Sequence, residues 1–360
     1  MNLAAPKQAH VISSVGVGKT NLGNLSLGRL SQGRERVLPH IVEWGTSRYL
    51  VGEHVSDYAR PLERLDFQRL SDGPEQRALT YATLGKLLGH GDHFITLLIV
   101  GLPVEVQEDE VLSERIKRQL KGWLEGHHSF SLDGQDINIS ITRVGTMAQP
   151  AGTFFAWGLN DQGNWTRSES DYNGLTAIGD VGLNTLDLFT VQHGAIQFRY
   201  TSGDTAGTRR AIEQLGETLE NNYGVNYSLH ELDAMLRNGS VSLNIAKGQI
   251  DLTEAIQEAK SSASGNILSF ISKRWGNGNQ FANTIFTGGG ALLFREYLTA
   301  AYPHANILLN PVMANALGLA RYARMLVELG LVVGLDVGFG GFKAVAIGKQ
   351  ADLLIATDSN

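Results

Sequence analysis

The feature that most constrains the fold of this chain is a repeated pattern of apolar run, aspartate, glycine turn and second apolar run. It occurs at residues 335–343, LDVGFGGFK, and again at residues 178–187, IGDVGLNTLD. A third glycine cluster, at residues 286–291, follows an apolar run and precedes a helical pattern. Because glycine lacks the Cβ that would block a close approach, such turns suit a backbone that wraps a ligand. An accidental hairpin need not repeat this order, so the repeat indicates a shared function.

The first turn combines residue types that bind phosphate and magnesium. Asp336 follows an apolar strand and can hold a hydrated magnesium ion, which usually keeps several of its waters. The glycines Gly338, Gly340 and Gly341 allow backbone N–H groups to surround phosphate oxygens. Lys343 can neutralise phosphate charge. Taken alone, this segment is equally well explained as an ordinary hairpin.

The second turn repeats the acid position with Asp180, and Asn184 and Thr185 add side-chain donors for phosphate oxygens. Two such hairpins facing each other would clamp a polyphosphate and a metal ion between two lobes. The third cluster, Gly288 to Gly290, starts a helix and permits close approach of a nucleoside or its first phosphate. A plain loop or a helix cap is the alternative for this cluster.

Length and composition predict a two-lobed globular protein. At 360 residues the chain is too long for one ordinary core. Its 42% apolar and 18% charged residues exclude a disordered chain. Strand and helix patterns alternate without an obvious linker, which favours a mixed α/β fold in two intertwined lobes. The absence of cysteine excludes a disulfide framework and a thiolate metal site.

Charge and hydropathy argue against direct contact with nucleic acid or membrane. The formal net charge is -6 and no dense Lys/Arg run occurs. The most apolar stretch, residues 94–104, is too short to span a bilayer, and residues 1–10 lack the apolar core of a signal peptide. We therefore expect a cytoplasmic protein. Residues 16–20, GVGKT, look like the end of a P-loop, but Ser13 stands where the motif needs glycine, so a turn is favoured.

Together the three turns resemble the phosphate-1, phosphate-2 and adenosine motifs of the actin superfamily. That superfamily includes actins, sugar kinases and the seventy-kilodalton heat-shock chaperones. The nearest likeness is to bacterial actin-like ATPases that segregate plasmids. It is carried by GDVGLNTLDL at residues 179–188, FTGGGALLF at 286–294, LIVGLPVE at 98–105 and VGTMAQPAGTFF at 144–155. The resemblance implies an α/β, actin-like, two-lobed ATPase fold of the duplicated ribonuclease H-like type.

The resemblance also implies roles for individual residues. Asp336 would position magnesium-bound water, Asp180 would face the metal from the second lobe, and Gln149 would orient the attacking water. The implied ligands are ATP or ADP, with GTP left open, and Mg²⁺. A polar hinge residue is the alternative for Gln149, and a solvated face is the alternative for the arginine pair at 209 and 210. The nucleotide-binding set comprises Gly338, Gly340, Gly341, Lys343, Gly182, Leu183, Asn184, Thr185, Gly288, Gly289, Gly290 and Arg209.

The order of the motifs predicts a circular permutation. In the family the first phosphate hairpin opens the chain, whereas here it follows the helix that normally ends it. Read as residues 331–360 and then 1–330, the motifs fall in the family order, which is reasonable where the original termini lie close together. The implied subdomains are 1–70 (small, lobe I), 71–150 with 314–360 (large, lobe I), 151–200 with 281–313 (large, lobe II) and 201–280 (small, lobe II).

The function that this resemblance implies is nucleotide-dependent filament formation with ATP hydrolysis. Catalysis in such a site is mainly positioning and charge neutralisation. The partners would be further copies of the chain and a DNA-binding adaptor, because the chain itself is acidic. Two alternatives stay open. A small-molecule kinase on the same fold would need a catalytic carboxylate facing its substrate, which the sequence does not place, and a scaffold would bind nucleotide without turnover.

Overall fold

The structure of the chain is a computed structural model, and it describes residues 3–17, 38–62, 72–205, 207–239, 242–246 and 248–349. Its strands are β1 (Lys7–Ile12), β2 (Val15–Gly16), β3 (His40–Trp44), β4 (Ser47–Val51), β5 (Gly91–Leu102), β6 (Gly126–Leu132), β7 (Gln135–Ile141), β8 (Val144–Ala148), β9 (Thr176–Val181), β10 (Leu186–Gln192), β11 (Ala195–Ile196), β12 (Ser202–Asp204), β13 (Ser242–Ile245), β14 (Gly248–Asp251), β15 (Asn283–Thr287), β16 (Asn306–Ile307), β17 (Leu331–Val337) and β18 (Gly341–Ile347).

Helices alternate with these strands along the chain. They are α1 (Val55–Tyr58), α2 (Pro74–Leu88), α3 (Val104–Glu108), α4 (Glu110–Leu124), α5 (Gln149–Gly158), α6 (Glu169–Asn173), α7 (Arg209–Tyr223), α8 (Leu229–Asn238), α9 (Thr253–Trp275), α10 (Gly289–Leu293), α11 (Arg295–Ala301) and α12 (Ala314–Leu326). Among the described residues, no helix combines the length and the apolar character needed to cross a bilayer.

Lobe I is built on a sheet of ten described strands in the order β1-β18-β17-β5-β7-β6-β3-β4-β2, with β8 paired to β5. The strand β17 runs parallel to β5 and antiparallel to β18, and β18 runs antiparallel to β1. All seven residues of β17 are buried, as expected for a central strand covered on both faces. The C-terminal hairpin therefore lies in the sheet between the N-terminal strand and β5.

Lobe II has its own sheet in the order β11-β10-β9-β15-β16, with β12 paired to β10. Its central strand β9 is antiparallel to β10 and parallel to β15. A separate hairpin, β13–β14, precedes the long helix α9. Apolar side chains of α7, α8 and α9 pack in one core with the lobe II sheet.

Two helices pack on the facing sides of the sheets and join the lobes. The helix α12 packs its alanines and Leu319 on the lobe I sheet, against residues such as Leu97 and Val332. The helix α5 packs Phe154 on the lobe II sheet, in a core with Ile178 and Phe189. The two helices contact each other closely through glycines, because a Cβ on Gly318 would overlap the carbonyl oxygen of Gly152.

The sequence-based predictions of strands hold for the three motif regions, and several helix boundaries are corrected. The spacing of apolar residues predicts one helix over residues 107–125, but the structure divides it at Asp109, whose Oδ1 accepts from the backbone N–H of Leu112 at 2.9 Å and caps α4. The sequence predicts a further helix from Thr153, and the structure begins it earlier, at Gln149, since Pro150 suits the first turn. The alanine-rich run at residues 314–329 predicts a third helix, which ends at Leu326.

Two elements of the structure were not predicted, and two predictions are not tested by it. The polar composition between α7 and α9 predicts no regular element, whereas the structure has α8 and the β13–β14 hairpin there. Residues 18–20 of the P-loop-like segment lie outside the described residues. The four subdomain boundaries remain a prediction.

Candidate functional site

A cavity of about 880 Å³ lies between the two lobes. Its size falls within the range of small-molecule sites in proteins. All three glycine turns contribute to its wall. The predicted site residues that line it are Gln149, Asp180, Gly182, Leu183, Asn184, Thr185, Gly288, Gly289, Asp336, Gly338, Gly340 and Lys343.

The first turn is the β17–β18 hairpin, and its acid and lysine lie side by side. Asp336 and Lys343 are register partners, and Lys343 Nζ lies 3.3 Å from Asp336 Oδ2. Asp336 is only 3% exposed, and its Oδ1 is buried without a hydrogen-bond partner among the described residues. The hydroxyl of Ser13 donates to the carbonyl oxygen of Gly338 at 2.8 Å, which ties the hairpin to the chain after β1. A buried carboxylate oxygen with free acceptor capacity suits a bound cation.

The second turn joins β9 to β10 and presents Asp180 at the cavity. The N–H of Gly182 donates to the carbonyl oxygen of Thr185 at 2.9 Å and closes the turn. Burial and the nearby charge of Asp336 raise the pKa of Asp180, a hydrogen bond from Asn315 and the charge of Lys343 lower it, and the net value is about 6. Asp180 from lobe II and Asp336 from lobe I both line the cavity, so carboxylates from two lobes share one site.

The third turn packs directly on the second. Gly288 has φ of 84°, and a Cβ there would overlap Asp180 Oδ1, so only glycine suits this position. Its N–H donates to the carbonyl oxygen of Pro311 at 3.1 Å, and Gly289 begins the short helix α10. Arg237 Nη1 donates to the carbonyl oxygen of Gly289 at 2.9 Å.

The hairpins of the two lobes face each other across the cavity. A Cβ added at Gly340 would lie 3.1 Å from the Cβ of Leu183. The cavity is thus closed on one side by contact between the first and second turns. A polyphosphate in this space would meet backbone and side-chain donors from both lobes.

The pair of carboxylates fits a magnesium ion. Among the described residues no group of three or more His, Cys, Asp or Glu side chains could hold a metal by itself. Mg²⁺ in phosphate-binding sites usually takes one or two carboxylates, and its other ligands are water and substrate phosphate. Asp180 and Asp336, with the unpartnered Oδ1 of Asp336, match that requirement.

Gln149 is the first residue of α5, is 4% exposed and lines the cavity. Gly101 leaves room for it, since a Cβ at Gly101 would come within 3.0 Å of Gln149 Cγ. Arg209, Gly290 and Gly341 are not among the residues that line the cavity. Arg209 pairs with Glu213 at 2.6 Å, and its Nη1 donates at 3.3 Å to Oδ1 of Asn184, which lines the cavity, so Arg209 contacts a residue of the cavity wall without lining the cavity itself.

The sequence analysis did not identify the contribution of β1 and of the residues that directly follow it. His10, Ile12 and Ser14 all line the cavity, and their spacing of two residues was the signal that could have identified them. His10 is the register partner of Lys343, which in turn is the partner of Asp336, so three polar side chains form a row across the sheet. Burial, followed by the charges of Lys343, Lys86 and Arg237, lowers the pKa of His10 to about 4.

The sequence analysis also did not predict helix α8, although Ser228 and Glu231 form a capping box, which is a sequence signature of a helix start. Asp233 and Arg237 of this helix line the cavity and pair with each other at 2.8 Å. On the lobe I side, residues 52–57 line the cavity near α1. The arginine at the cavity is therefore Arg237 on α8, and not the predicted Arg209 on α7.

Asn315 is a further site residue that the sequence did not reveal. It lines the cavity, and its Nδ2 donates to Asp180 Oδ2 at 2.7 Å. Its Oδ1 accepts from the hydroxyl of Thr153 at 2.8 Å. An asparagine at the start of an alanine-rich helix carries no motif, so no sequence signal pointed to it.

Two family models match consecutive parts of the chain. Residues 6–152 match the N-terminal domain of actin-like proteins, and residues 178–300 match the C-terminal domain of the archaeal MreB-like actin homologue. No curated protein sequence matches the chain.

Solved structures share its fold at low sequence identity. An archaeal actin homologue in complex with ADP aligns with a TM-score of 0.63 at 17% identity, over 89% of this chain and 99% of that one. A fifteen-stranded ParM filament from Clostridium botulinum aligns with 0.64 at 17%, over 88% and 93%. Bacillus thuringiensis ParM with ATP aligns with 0.57 at 13%, over 80% and 86%. At these identities the likeness establishes the two-lobed fold alone.

Proposed function

We propose that this chain, which is an actin-like protein, binds a nucleoside triphosphate with Mg²⁺ between its lobes and hydrolyses it. The observation that carries the proposal is the convergence of three glycine turns, from both lobes, on one cavity with two buried carboxylates. ATP is the expected nucleotide and GTP the alternative. Structural relatives with ADP and with ATP support a nucleotide as the ligand.

In nucleotide binding and hydrolysis, each residue would have a role set by its charge and its position. Asp336 and Asp180 would hold the hydrated ion, and Mg²⁺ when bound neutralises phosphate charge. Lys343 would contact phosphate oxygens beside the backbone N–H groups of the two hairpins. Gln149 would orient the attacking water, because an amide both donates and accepts hydrogen bonds. Gly288 and Gly289 would lie on the nucleoside side.

We further propose that the nucleotide state controls assembly of the chain into a filament. A ParM filament with the same fold supports this part of the proposal. Movement or segregation of plasmid DNA would then need a DNA-binding adaptor, since the formal net charge of the chain is -6.

Circular permutation is part of the same proposal. The order of the strands supports it: the hairpin β17–β18 lies next to β1, and the N–H of Ala4 donates to the carbonyl oxygen of Gly348 at 3.1 Å. The strands that open the chain in the family, here β17 and β18, would thus occupy their usual place in the sheet although they lie at the C-terminal end of this sequence.

The test is phosphate release measured with ATP and with GTP over a series of protein concentrations. We expect a rate that rises steeply above a threshold concentration, because assembly accelerates hydrolysis. Asp180→Ala should abolish it, whereas Asp136→Ala, at an exposed position on β7, should leave it unchanged.

The other outcomes separate the parts of the proposal. A rate strictly proportional to protein concentration would contradict the filament while keeping the nucleotide site. ADP production that depends on an added acceptor would favour a kinase, and binding without any phosphate release would favour a scaffold. Equal rates of phosphate release in the wild type and in Asp180→Ala would contradict the assignment of this cavity as the nucleotide site.

A further inference from the structure

Asn315 connects three parts of the molecule that are distant in sequence. It lies 135 residues from Asp180 and 162 residues from Thr153, and it contacts both. It is 5% exposed, and Thr153 is fully buried. An ionised carboxylate accepts hydrogen bonds and cannot donate them, so the amide NH₂ of Asn315 must face Asp180 and its oxygen must face Thr153.

The contact with Thr153 leads to the helix that carries Gln149. Thr153 stands four residues after Gln149 on α5, and residues at this spacing share one face of a helix. The carboxylate of Asp180, at the end of β9, is therefore linked through two hydrogen bonds to the helix that presents Gln149. The amide of Asn315 is the central group of this link.

The surrounding packing makes the link rigid. A Cβ on Gly318 would overlap the carbonyl oxygen of Gly152, and a Cβ on Gly152 would overlap the carbonyl oxygen of Asn315. The helices α5 and α12 thus touch backbone to backbone beside the hydrogen bonds. Close-packed interiors transmit displacements rather than absorb them, so a shift at Asn315 would be felt at both ends of the link.

We propose that Asn315 is a positioning residue for nucleotide hydrolysis, which fixes the carboxylate of Asp180 relative to the helix that carries Gln149. This inference rests on the proposed function. A displacement of about 1 Å in a catalytic arrangement can lower the rate about a hundredfold. Because Thr153 and Asn315 act through Asp180 and α5, their loss should lower kcat and leave KM for the nucleotide nearly unchanged.

The test compares changes of similar volume at two members of the link, Asn315 and Thr153. Asn315→Leu removes the amide at similar volume and should lower kcat about ten- to a hundredfold. Thr153→Val removes one hydroxyl and should lower kcat about three- to tenfold, whereas Thr153→Ser should restore the wild-type value because it keeps the donor. Thr83→Val is the matched control: Thr83 is also buried in a helix, and its hydroxyl bonds only within α2, to the carbonyl oxygen of Leu79.

kcat and KM are measured at saturating magnesium and one protein concentration. Wild-type kcat in both Asn315→Leu and Thr153→Val would overturn the inference. A second result would also overturn the inference: a higher KM in Asn315→Leu together with wild-type kcat and KM in Thr153→Val. That pair of results would make Asn315 a direct nucleotide ligand. If Asn315→Leu does not fold, the Thr153 variants decide. Absence of hydrolysis in the wild type would instead contradict the proposed function.

Discussion

At the scale of single residues, the site depends on titratable side chains that are buried between the lobes. Asp180 and Asp336 are both nearly inaccessible, and each lies close to Lys343 or Asn315, which supply compensating charge or hydrogen bonds. His10 lies in the same row of the lobe I sheet, among cationic side chains. Two properties should therefore depend on pH: magnesium binding, through Asp180, and stability, through His10.

The first residue-scale prediction concerns magnesium. The pKa of Asp180 is raised to about 6, and a carboxyl group must lose its proton to bind a cation. Between pH 7.5 and 5.5 its ionised fraction falls about fourfold, so the half-saturating magnesium concentration should rise by about the same factor. Titration calorimetry of Mg²⁺ into the protein with ADP, at both pH values, measures this concentration. Mg²⁺ binding to free ADP is the reference. No pH dependence beyond that of the free nucleotide would contradict the assignment.

The second residue-scale prediction concerns stability. The folded pKa of His10 is about 4 and lies below the unfolded value of 6.5, so the unfolded chain binds more protons between those pH values. Stability should therefore fall as pH falls from about 6.5 towards 4. Between pH 7.5 and pH 5 the loss attributable to His10 is about 2 kcal/mol.

Urea unfolding of the nucleotide-free protein at pH 7.5 and pH 5 tests this value. His10→Gln should lose about 2 kcal/mol less than the wild type over this interval, whatever its stability at pH 7.5. His90→Gln, at an exposed position, is the matched control. An identical pH dependence in wild type and His10→Gln would show that His10 titrates normally.

At the scale of elements, the helix pair α5–α12 joins the lobes through glycine contacts. A helical glycine usually weakens a helix, so its presence at Gly152 and Gly318 needs a reason. The reason is space, because a Cβ at either position would overlap backbone atoms of the other helix. The two lobes are thereby held at a separation that places Gln149 and Asp180 on one cavity.

The element-scale prediction is that Gly318→Ala destabilises the protein by about 1–3 kcal/mol or more, because the helices must separate. Gly265→Ala in α9 is the matched control, since nothing lies within 4 Å of the Cβ it would add. That control should gain about 0.5–1 kcal/mol from the better helix propensity of alanine. Chemical unfolding of both variants measures the difference, and equal stabilities would show that the interface tolerates a methyl group.

At the scale of the whole molecule, the C-terminal hairpin and the N-terminal strand act as one unit. The strand β18 pairs with β1 over six register positions. The fold therefore requires both ends of the described chain at the same edge of lobe I. Sequence order could change without changing this sheet, as long as β18 still pairs with β1.

The whole-molecule prediction follows from that arrangement. A chain in which residues 331–360 precede residues 1–330 should fold to the same structure and bind nucleotide with unchanged affinity. Circular dichroism and calorimetry with ADP measure both properties against the present chain. An unfolded product would contradict the permutation, whereas a difference confined to filament assembly would place the chain ends at a contact between protomers.

The sequence by itself determined the local units of this protein. The three glycine turns, their acids and the strands beside them were predictable because each depends on a few adjacent residues: glycine permits the turn, and an apolar run forms the buried strand. The actin-like fold was implied by the resemblance of those units to actin-superfamily motifs, and Gln149 was implied by the same resemblance. Asp180, Asp336 and Lys343 were read from the turns themselves, and the structure brings all four residues to one cavity.

Only the tertiary structure decided which distant side chains complete the site. Asn315 meets Asp180 across 135 residues, Arg237 stands at the cavity where Arg209 was expected, and His10 joins the row of Lys343. Asn315 carries no local motif, and the strand alternation at His10 and the capping box of α8 do not reveal that His10 and Arg237 reach the site, because their neighbours there are supplied by helix packing and strand register. The physical reason is that turns and strands are encoded by neighbouring residues, whereas contacts between lobes are set by the fold as a whole.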